Sequence, residues 1–212
     1  NVMAITFTNK AAGELKERLR NMLGGEEGDE VFASTFHSAC VRILRRHIES
    51  LGYTTSFSIY DSDDQKTLMR QVFKAMNVDT KQFKERSVLA AISSAKDKLI
   101  TPEEFLLNAG ADFREKKTGE IYKEYQKQLR KNNALDFDDI IYHTVTLLQK
   151  EPEVLDYYQK KFRYVLVDEY QDTNHLQYLL TGLLAGGCRN LCVVGDTISP
   201  STASGGPISR IS

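Results

Sequence analysis

The stretch YVLVDE, residues 164–169, is a short apolar run that ends in two adjacent acids. Its β-branched and aromatic residues favour an extended strand, and Asp168 and Glu169 follow at the carboxyl end. Neighbouring carboxylates at the tip of a dry strand repel each other unless solvent, hydrogen-bond donors or a cation offset the repulsion. The stretch therefore predicts a buried strand that presents a pair of acids.

Three further strand patterns have the same layout: VMAITF at residues 2–7, VFASTF at 31–36 and LCVV at 191–194. Helix-period patterns follow three of the four strands. The first is predicted to have Thr8 or Asn9 as its N-cap, the second to begin at His37 or Ser38, and the third to begin at about Asn174. Strands that alternate with helices predict a parallel sheet, so the expected fold class is α/β.

The segment between the second and third strands, residues 37–163, is too long for a single crossover helix. It is rich in helix signals: TPEE (101–104) forms a capping box with proline in the first turn, and Asp136 is placed to cap a further helix. We therefore predict an all-helical domain inserted into a sheet domain. The predicted ranges are 1–37 and 149–196 for the sheet domain and 38–148 for the helical domain.

The composition is that of an ordinary globular chain, with 212 residues, 41% hydrophobic residues and a formal net charge of −1. This balance gives no global reason to expect a nucleic acid, so such a partner must be argued from local sites. Three cysteines without a CxxC pair, no apolar run of about 20 residues and no signal-peptide pattern predict a cytoplasmic protein without a membrane span.

The sequence at each end of the chain leads to a further prediction. A domain rarely begins on a core strand, so we expect the chain to be a fragment. Residues 197–212, TISPSTASGGPISRIS, are dense in Ser, Gly, Pro and Thr and are predicted to be a flexible tail.

Polar side chains follow each of the four predicted strands. In an open parallel sheet, ligands bind outside the carboxyl ends of the strands, where loops and helix N-termini converge. Each of these residues taken alone is also explained as a helix N-cap, but four consecutive strands favour a functional edge. The candidates are Thr6, Thr8, Asn9, Thr35, His37, Asp168, Glu169 and Asp196.

The acid pair suits Mg²⁺, which keeps most of its waters and takes one or two carboxylates together with substrate phosphates. One carboxylate then remains to orient or deprotonate an attacking water. This is the chemistry of the Walker B acids of a nucleotide hydrolase. The phosphate-binding pattern GxxxxGK[ST] does not occur in the 212 residues.

Two other functions stay open on these residues. A metal-dependent nuclease or phosphatase would combine Asp168 and Glu169 with the acids Asp172, Asp136, Asp138 and Asp139, although capping explains the last three. A non-catalytic module that binds single-stranded DNA is the other alternative.

Candidates for nucleic-acid contacts are aromatic and basic. Phe7 and Phe36 lie at strand ends beside hydroxyl and amide groups, where they suit base stacking, and a core position explains either ring equally well. The basic run Arg42, Arg45, Arg46 and His47 is interpreted as a solvated helix face. The residue pattern does not decide between a solvated face and DNA contact for Lys96 and Lys98.

Four segments in this order resemble the UvrD/Rep/PcrA family of superfamily 1A DNA helicases. They are ITFTNKAA (5–12), STFHSACVRILRR (34–46), LDFDDII (135–141) and VDEYQDTNHLQY (167–178). The resemblance covers about residues 1–196. It implies a RecA-like sheet domain with an inserted helical domain, and ATP-driven 3′ to 5′ movement on single-stranded DNA with duplex unwinding.

The resemblance also implies roles for individual residues. Asp168 would bind Mg²⁺, Glu169 would polarise the attacking water, and Gln171, Asp172 and Asp196 would complete the ATP site. The expected contacts with single-stranded DNA are Thr6, Phe7, Thr8 and Asn9 in the first motif and Thr35, Phe36 and His37 in the second. Implied partners are single-stranded DNA, junctions between single- and double-stranded DNA, and accessory repair or replication proteins.

The chain departs from the family pattern in three places. The Walker A loop and the second motor domain do not occur in the 212 residues, and TISP (197–200) stands where the family has an acidic, Gln-containing stretch. We therefore expect the parent protein to be a helicase and this chain alone to neither bind ATP tightly nor unwind DNA.

Overall fold

The computed structural model describes residues 2–24, 31–187 and 189–195 of the chain. Residues 197–212 and Asp196, for which a tail and a nucleotide contact are predicted, lie outside the described residues.

The chain begins with two β-α units. Strand β1 (Val2–Thr6) leads to helix α1 (Asn9–Leu23), and strand β2 (Phe32–Thr35) leads to helix α2 (Phe36–His47). Thr8 caps α1 by accepting the N–H of Ala11 at 3.1 Å, and Thr35 caps α2 by accepting the N–H of Ser38 at 3.2 Å. These side chains satisfy N–H groups that have no partner within the first turn of a helix. The predicted strand 31–36 is therefore shorter, because Phe36 is already helical.

A mostly helical segment follows. After a 3₁₀ turn (Ile48–Leu51) it contains β3 (Ser58–Ile59), α3 (Ser62–Ala75), α4 (Glu85–Asp97), α5 (Pro102–Asn108), α6 (Phe113–Lys131) and β4 (Ala134–Leu135). The capping box predicted at Thr101 is present, with the Thr101 hydroxyl accepting the N–H of Glu104 at 3.1 Å. The short parallel pair β3–β4 is a difference from the all-helical prediction.

The chain then returns to the sheet. Helices α7 (Phe137–Lys150) and α8 (Pro152–Lys161) precede β5 (Tyr164–Val167), a 3₁₀ turn (Tyr170–Asp172), α9 (His175–Ala185) and β6 (Leu191–Val193). The strand order is β2-β1-β5-β6, and every neighbouring pair is parallel. The predicted α/β class with a parallel sheet is confirmed.

Two hydrophobic cores hold the described residues together. The first joins the sheet to α2, α7, α8 and α9, with fully buried side chains such as Met3, Leu44 and Val145. The second lies among α3, α4 and α6 and includes Met69, Ile92 and Tyr125. Helices α2 and α7 lie mostly within the predicted helical range 38–148, yet buried side chains of both pack in the core of the sheet. The domain boundaries themselves stay a prediction.

A buried polar group lies where α4, α6 and α7 meet. The Nζ atom of Lys96 is 2.6 Å from Oδ2 of Asp136 and 2.8 Å from Oδ1 of Asp139, and all three side chains are at most 3% exposed. We call these three residues the Lys96 cluster. Lys96 is thus a structural ion-pair partner, whereas Lys98 is exposed. Burial acts to lower the pKa of Lys96, but the two carboxylates outweigh it and hold that pKa well above its ordinary value.

His143 adjoins this group in α7 and is buried. Its Nε2 atom lies 3.3 Å from the Tyr53 hydroxyl. Burial, assisted by the charge of Lys96, lowers the pKa of His143 to about 3, against the opposing charge of Asp136. The imidazole is therefore neutral in the folded protein at pH 7.

This burial predicts a pH dependence of stability. Between pH 6.5 and about 3 the unfolded chain binds a proton that folded His143 does not, so stability falls as the pH falls through this window. Moving from pH 7 to pH 5 should cost about 2 kcal/mol through this group. Urea unfolding of the wild type and of His143→Gln at both pH values measures the difference, with exposed His175→Gln as the control. An equal pH response in wild type and His143→Gln would contradict the assignment.

Candidate active site and nucleic-acid interface

The acid pair lies at the carboxyl end of β5. The N–H of Asp168 donates to the carbonyl of Ile5 at 3.0 Å, which extends the ladder between β5 and β1 by one residue. Asp168 and Glu169 are both exposed. The strand therefore ends as its pattern predicts, with two solvent-facing carboxylates next to the end of β1.

Glu169 occupies an unusual backbone conformation. Its φ of 52° and ψ of 41° lie in the left-handed region, which costs a non-glycine residue about 1 kcal/mol or more and is concentrated at functional sites. Its N–H donates to Oδ1 of Asp168 at 3.0 Å. The side chain of Asp168 thus fixes the turn, and the turn sets Glu169 apart from the line of β5.

Gln171 lies behind the acid pair in the 3₁₀ turn. Its Oε1 atom is buried and has no hydrogen-bond partner among the described residues. A Cβ built on Gly195 would collide with this same oxygen, so a larger residue at position 195 would displace the end of the Gln171 side chain. An orphaned buried acceptor costs about 1 to 3 kcal/mol until a donor reaches it. Asp172, which follows in the turn, is exposed.

The acids fit a magnesium–nucleotide complex better than a metal cage built by the protein alone. In the described part of the chain, no group of three or more His, Cys, Asp or Glu side chains is arranged to hold a metal ion. Mg²⁺ needs only one or two carboxylates when phosphate oxygens and waters complete its shell. Asp168 and Glu169 supply that number.

The same geometry weighs against the nuclease alternative. Asp136 and Asp139 are bound to Lys96, and Asp138 is half-buried in a cleft beside His37 and Phe137. These acids are engaged inside the protein rather than at the tip of β5.

The aromatic pair predicted for DNA consists of one accessible and one buried ring. Phe7 is half-buried at the end of β1, and its ring meets that of Phe36 edge to face with centroids 5.5 Å apart. Phe36 is only 3% exposed and belongs to the core. This burial differs from the expectation that Phe36 itself stacks on a base, and it makes Phe36 the support for Phe7.

The polar residues of the two motifs are likewise partly buried and partly exposed. Thr6 and Thr35 are buried, Thr6 donating to the carbonyl of Thr8 at 3.1 Å and Thr35 capping α2. Their hydroxyls serve the backbone. Thr8 and Asn9 are exposed at the start of α1, so they are accessible to a ligand at this edge.

His37 has an aromatic neighbour that the sequence analysis missed. The ring of Phe137 lies 4.5 Å from that of His37 and is 52% exposed. The spacing of four between Phe137 and the core residue Ile141 predicts a buried position, so the sequence carries no signal of this exposure. Asp138, Ser93 and Asn174 help line a cleft of about 520 Å³ beside the two rings.

The imidazole of His37 is neutral at pH 7. Burial lowers the pKa of His37, and the nearby charge of Asp138 only partly opposes this. A neutral imidazole both donates and accepts hydrogen bonds. Phe7 follows β1 and His37 follows the neighbouring strand β2, so uncharged aromatic groups lie after the carboxyl ends of two adjacent strands.

Comparison of the chain with known protein families gives a match over almost its whole length. The family model for the UvrD/REP helicase N-terminal domain matches residues 1–197. The chain belongs to the UvrD/REP helicase family. The resemblance noted in the sequence is thereby confirmed.

Similar curated proteins are named ATP-dependent DNA helicase PcrA. The one from Bacillus subtilis (strain 168) is 51% identical over 197 residues, which are 93% of this chain and 26% of that protein. Those from Staphylococcus epidermidis (strain ATCC 12228 / FDA PCI 1200) and Staphylococcus aureus (strain COL) are 50% and 49% identical, each with 27% of its length covered. The chain thus spans about a quarter of the length of these UvrD/REP relatives. Among the described residues, no helix combines the length and apolar character needed to cross a bilayer.

Proposed function

We propose that this chain is the part of an ATP-dependent DNA translocase that supplies the metal and water side of the ATP site and one wall of the single-stranded DNA track. One observation carries the proposal: β1 lies between β2 and β5. This order brings the aromatic end of β1, the start of α2 and the acid pair to one edge of the sheet.

The acids have separate roles in this proposal. Asp168, at the strand end, would hold Mg²⁺, and the metal with its nucleotide supplies a polarised phosphoryl group when bound. Glu169, which the left-handed turn sets apart from Asp168, would accept a proton from the attacking water or orient it. Gln171, whose buried Oε1 has no partner among the described residues, would accept a hydrogen bond when the site is assembled.

A short path joins the two parts of the site. The N–H of Asp168 is bonded to the carbonyl of Ile5, and Phe7 follows two residues later, directly after the end of β1. A displacement of the acid pair would be transmitted through one hydrogen bond and two residues of backbone to the proposed base-stacking ring. This connection supports movement on DNA driven by ATP hydrolysis, and we propose the family's 3′ to 5′ direction for it.

The remaining parts of the proposal concern partners and setting. Junctions between single- and double-stranded DNA, and accessory repair or replication proteins, are the partners that we propose for the parent protein. The described cysteines, Cys40 and Cys192, form no disulfide, which supports a reducing, cytoplasmic setting. Since the 212 residues contain no GxxxxGK[ST] pattern, we propose that the chain by itself binds DNA without turning over ATP.

Phe7→Ala tests the DNA surface. Loss of one stacked base should weaken binding of a fluorescent oligothymidylate by about fivefold or more, since stacking contributes roughly 1 to 3 kcal/mol per base. The measurement is fluorescence anisotropy at fixed salt, with far-UV circular dichroism to confirm the fold. Phe113→Ala is the matched control, because Phe113 is an exposed phenylalanine (67%) at the start of α6.

The proposal fails if the wild-type chain shows no preference for single-stranded over duplex DNA of the same length. It also fails if Phe113→Ala and Phe7→Ala weaken binding equally.

A further inference from the structure

We propose that Lys96 is a positioning residue for DNA binding: through Asp136 and Asp139 it fixes the start of α7 and thereby holds Phe137 against His37. This inference rests on the proposed function, because His37 lies at the start of α2, which the proposal assigns to the DNA track, and Phe137 lies against it. Lys96 itself is 0% exposed, so it acts only through the residues that it binds.

The first step of the argument is the geometry of the helix start. Asp136 is the N-cap of α7, and its Oδ1 accepts the N–H of Asp139 at 2.8 Å. Asp139 returns the bond, its Oδ2 accepting the N–H of Asp136 at 3.2 Å. The oxygens that Lys96 binds are the other ones, Oδ2 of Asp136 and Oδ1 of Asp139. One ammonium group thus holds both halves of the capping box.

Neighbouring helices complete the network. The Tyr125 hydroxyl donates to Oδ2 of Asp136 at 3.1 Å, and Nε2 of Gln126 donates to Oδ1 of Asp139 at 3.1 Å. All four carboxylate oxygens of the pair therefore have at least one donor. The two carboxylates are therefore fully paired, although Oε1 of Gln126 is buried without a hydrogen-bond partner among the described residues. Paired buried carboxylates hold one geometry better than unpaired ones.

The second step is what this helix start carries. Phe137 is the first residue of α7, directly after the cap, and its ring is the one that lies 4.5 Å from His37. Asp138 follows and is half-buried, and Ser93, which lies on α4 one turn before Lys96, lines the same cleft. Through Lys96, helix α4 therefore holds one residue on each side of the exposed ring in the sequence, the cap Asp136 and Asp139.

The third step concerns the choice of a charged residue. A buried ion pair gains little net stability over well-packed apolar side chains, because desolvation offsets the attraction. Here the ion pairs instead fix a relative position. Helix α4 packs in the helical core, whereas helix α2, whose second residue is His37, packs in the core of the sheet. The Lys96 cluster thus sets the helical segment at a fixed place relative to the edge of the sheet.

The test replaces the cluster without leaving buried charges. The triple variant Lys96→Met, Asp136→Asn, Asp139→Asn keeps capping side chains and removes the ion pairs. The chain contains no tryptophan, so Phe137→Trp adds a single reporter whose quenching by acrylamide measures exposure at that position. Lys98→Met is the control, since Lys98 is exposed two residues away.

Circular dichroism first confirms that each variant is folded. We then expect the triple change to raise the acrylamide quenching constant of the reporter, whereas Lys98→Met should leave that constant unchanged. In the chain with Phe137, the triple change should weaken oligothymidylate binding about five- to tenfold. Combining it with Phe137→Ala should give no further loss, because both changes remove the same contact.

Unchanged quenching in the folded triple variant overturns the inference, as do binding losses that multiply with Phe137→Ala. If the wild-type chain binds no single-stranded DNA, the proposed function fails while the quenching result still decides whether Lys96 positions Phe137. If the triple variant does not fold, Lys96→Gln, which keeps a donor without the charge, is measured by the same two readouts.

Discussion

Glu169→Gln is expected to lower ATP turnover by about 10²- to 10⁴-fold, since general acid–base groups contribute factors of this size. The experiment uses a hybrid enzyme in which residues 1–195 replace the matching segment of Bacillus subtilis PcrA. The 51% identity over the matched region makes the exchange conservative. Glutamine keeps the size and hydrogen-bonding capacity of the side chain but does not accept a proton at neutral pH. Nucleotide affinity should therefore stay close to that of the unmodified hybrid.

The control for charge alone is Glu17→Gln in the same hybrid. Glu17 is an exposed glutamate on α1, and its loss should leave turnover within about twofold, as for most surface substitutions. The chain of 212 residues without its hybrid partner is the baseline, and we expect no phosphate release above background. Unchanged turnover in the Glu169→Gln hybrid would remove Glu169 from the mechanism. DNA-stimulated turnover by the unhybridised chain, purified free of host helicases, would contradict the proposal that it is inactive alone.

Local patterns predicted most elements of the fold, because their causes are local. Thr8, Thr101 and Asp136 are confirmed as helix caps, since a capping oxygen and the N–H that it accepts lie within three residues of each other. The apolar runs form the predicted strands because their β-branched and aromatic residues lie close together in the sequence. Where a strand pattern touched a helix pattern, as at Phe36, the local signals overlapped, and the cap at Thr35 decided the boundary.

The sequence predicts which residues follow the strands of the candidate site, but not which of the aromatic side chains are exposed and which are buried. Exposure of the acid pair follows from its place after a buried strand. The sequence does not show which of Phe7 and Phe36 is buried, because both follow apolar strands and the outcome depends on the packing of β1 and β2 against α2 and α7. The exposure of Phe137 was missed because its helical spacing predicts a core position. Only the tertiary placement of α7 beside His37 leaves this ring exposed.

The Lys96 cluster shows the same limit most clearly. Forty positions separate Lys96 from Asp136, and a lysine on a helix usually lies on a solvated face. Burial of a lysine is acceptable only with partners, and those partners were assigned to capping alone. Two functions of one carboxylate, cap and counter-ion, are compatible because its two oxygens point to different donors.

Asp136→Ala is therefore expected to destabilise the chain by about 3 to 5 kcal/mol, the cost of breaking a buried pair on one side. The change removes the cap of α7, the 2.6 Å partner of Lys96 and the acceptor for Tyr125 at once. Equilibrium urea unfolding followed by circular dichroism measures the loss at pH 7. Asp136→Asn keeps a capping oxygen and should lose less than Asp136→Ala.

The chain contains a matched control for this substitution. Asp61 caps α3 with a capping box of the same type, in which Asp64 is the third residue of the helix, but it is exposed and pairs with no buried lysine. Asp61→Ala removes the cap alone and should cost much less than Asp136→Ala. Equal losses at the two sites would mean that Lys96 contributes nothing beyond the cap. A larger loss at Asp136 assigns the difference to the buried network, since the local capping geometry of the two helices is the same.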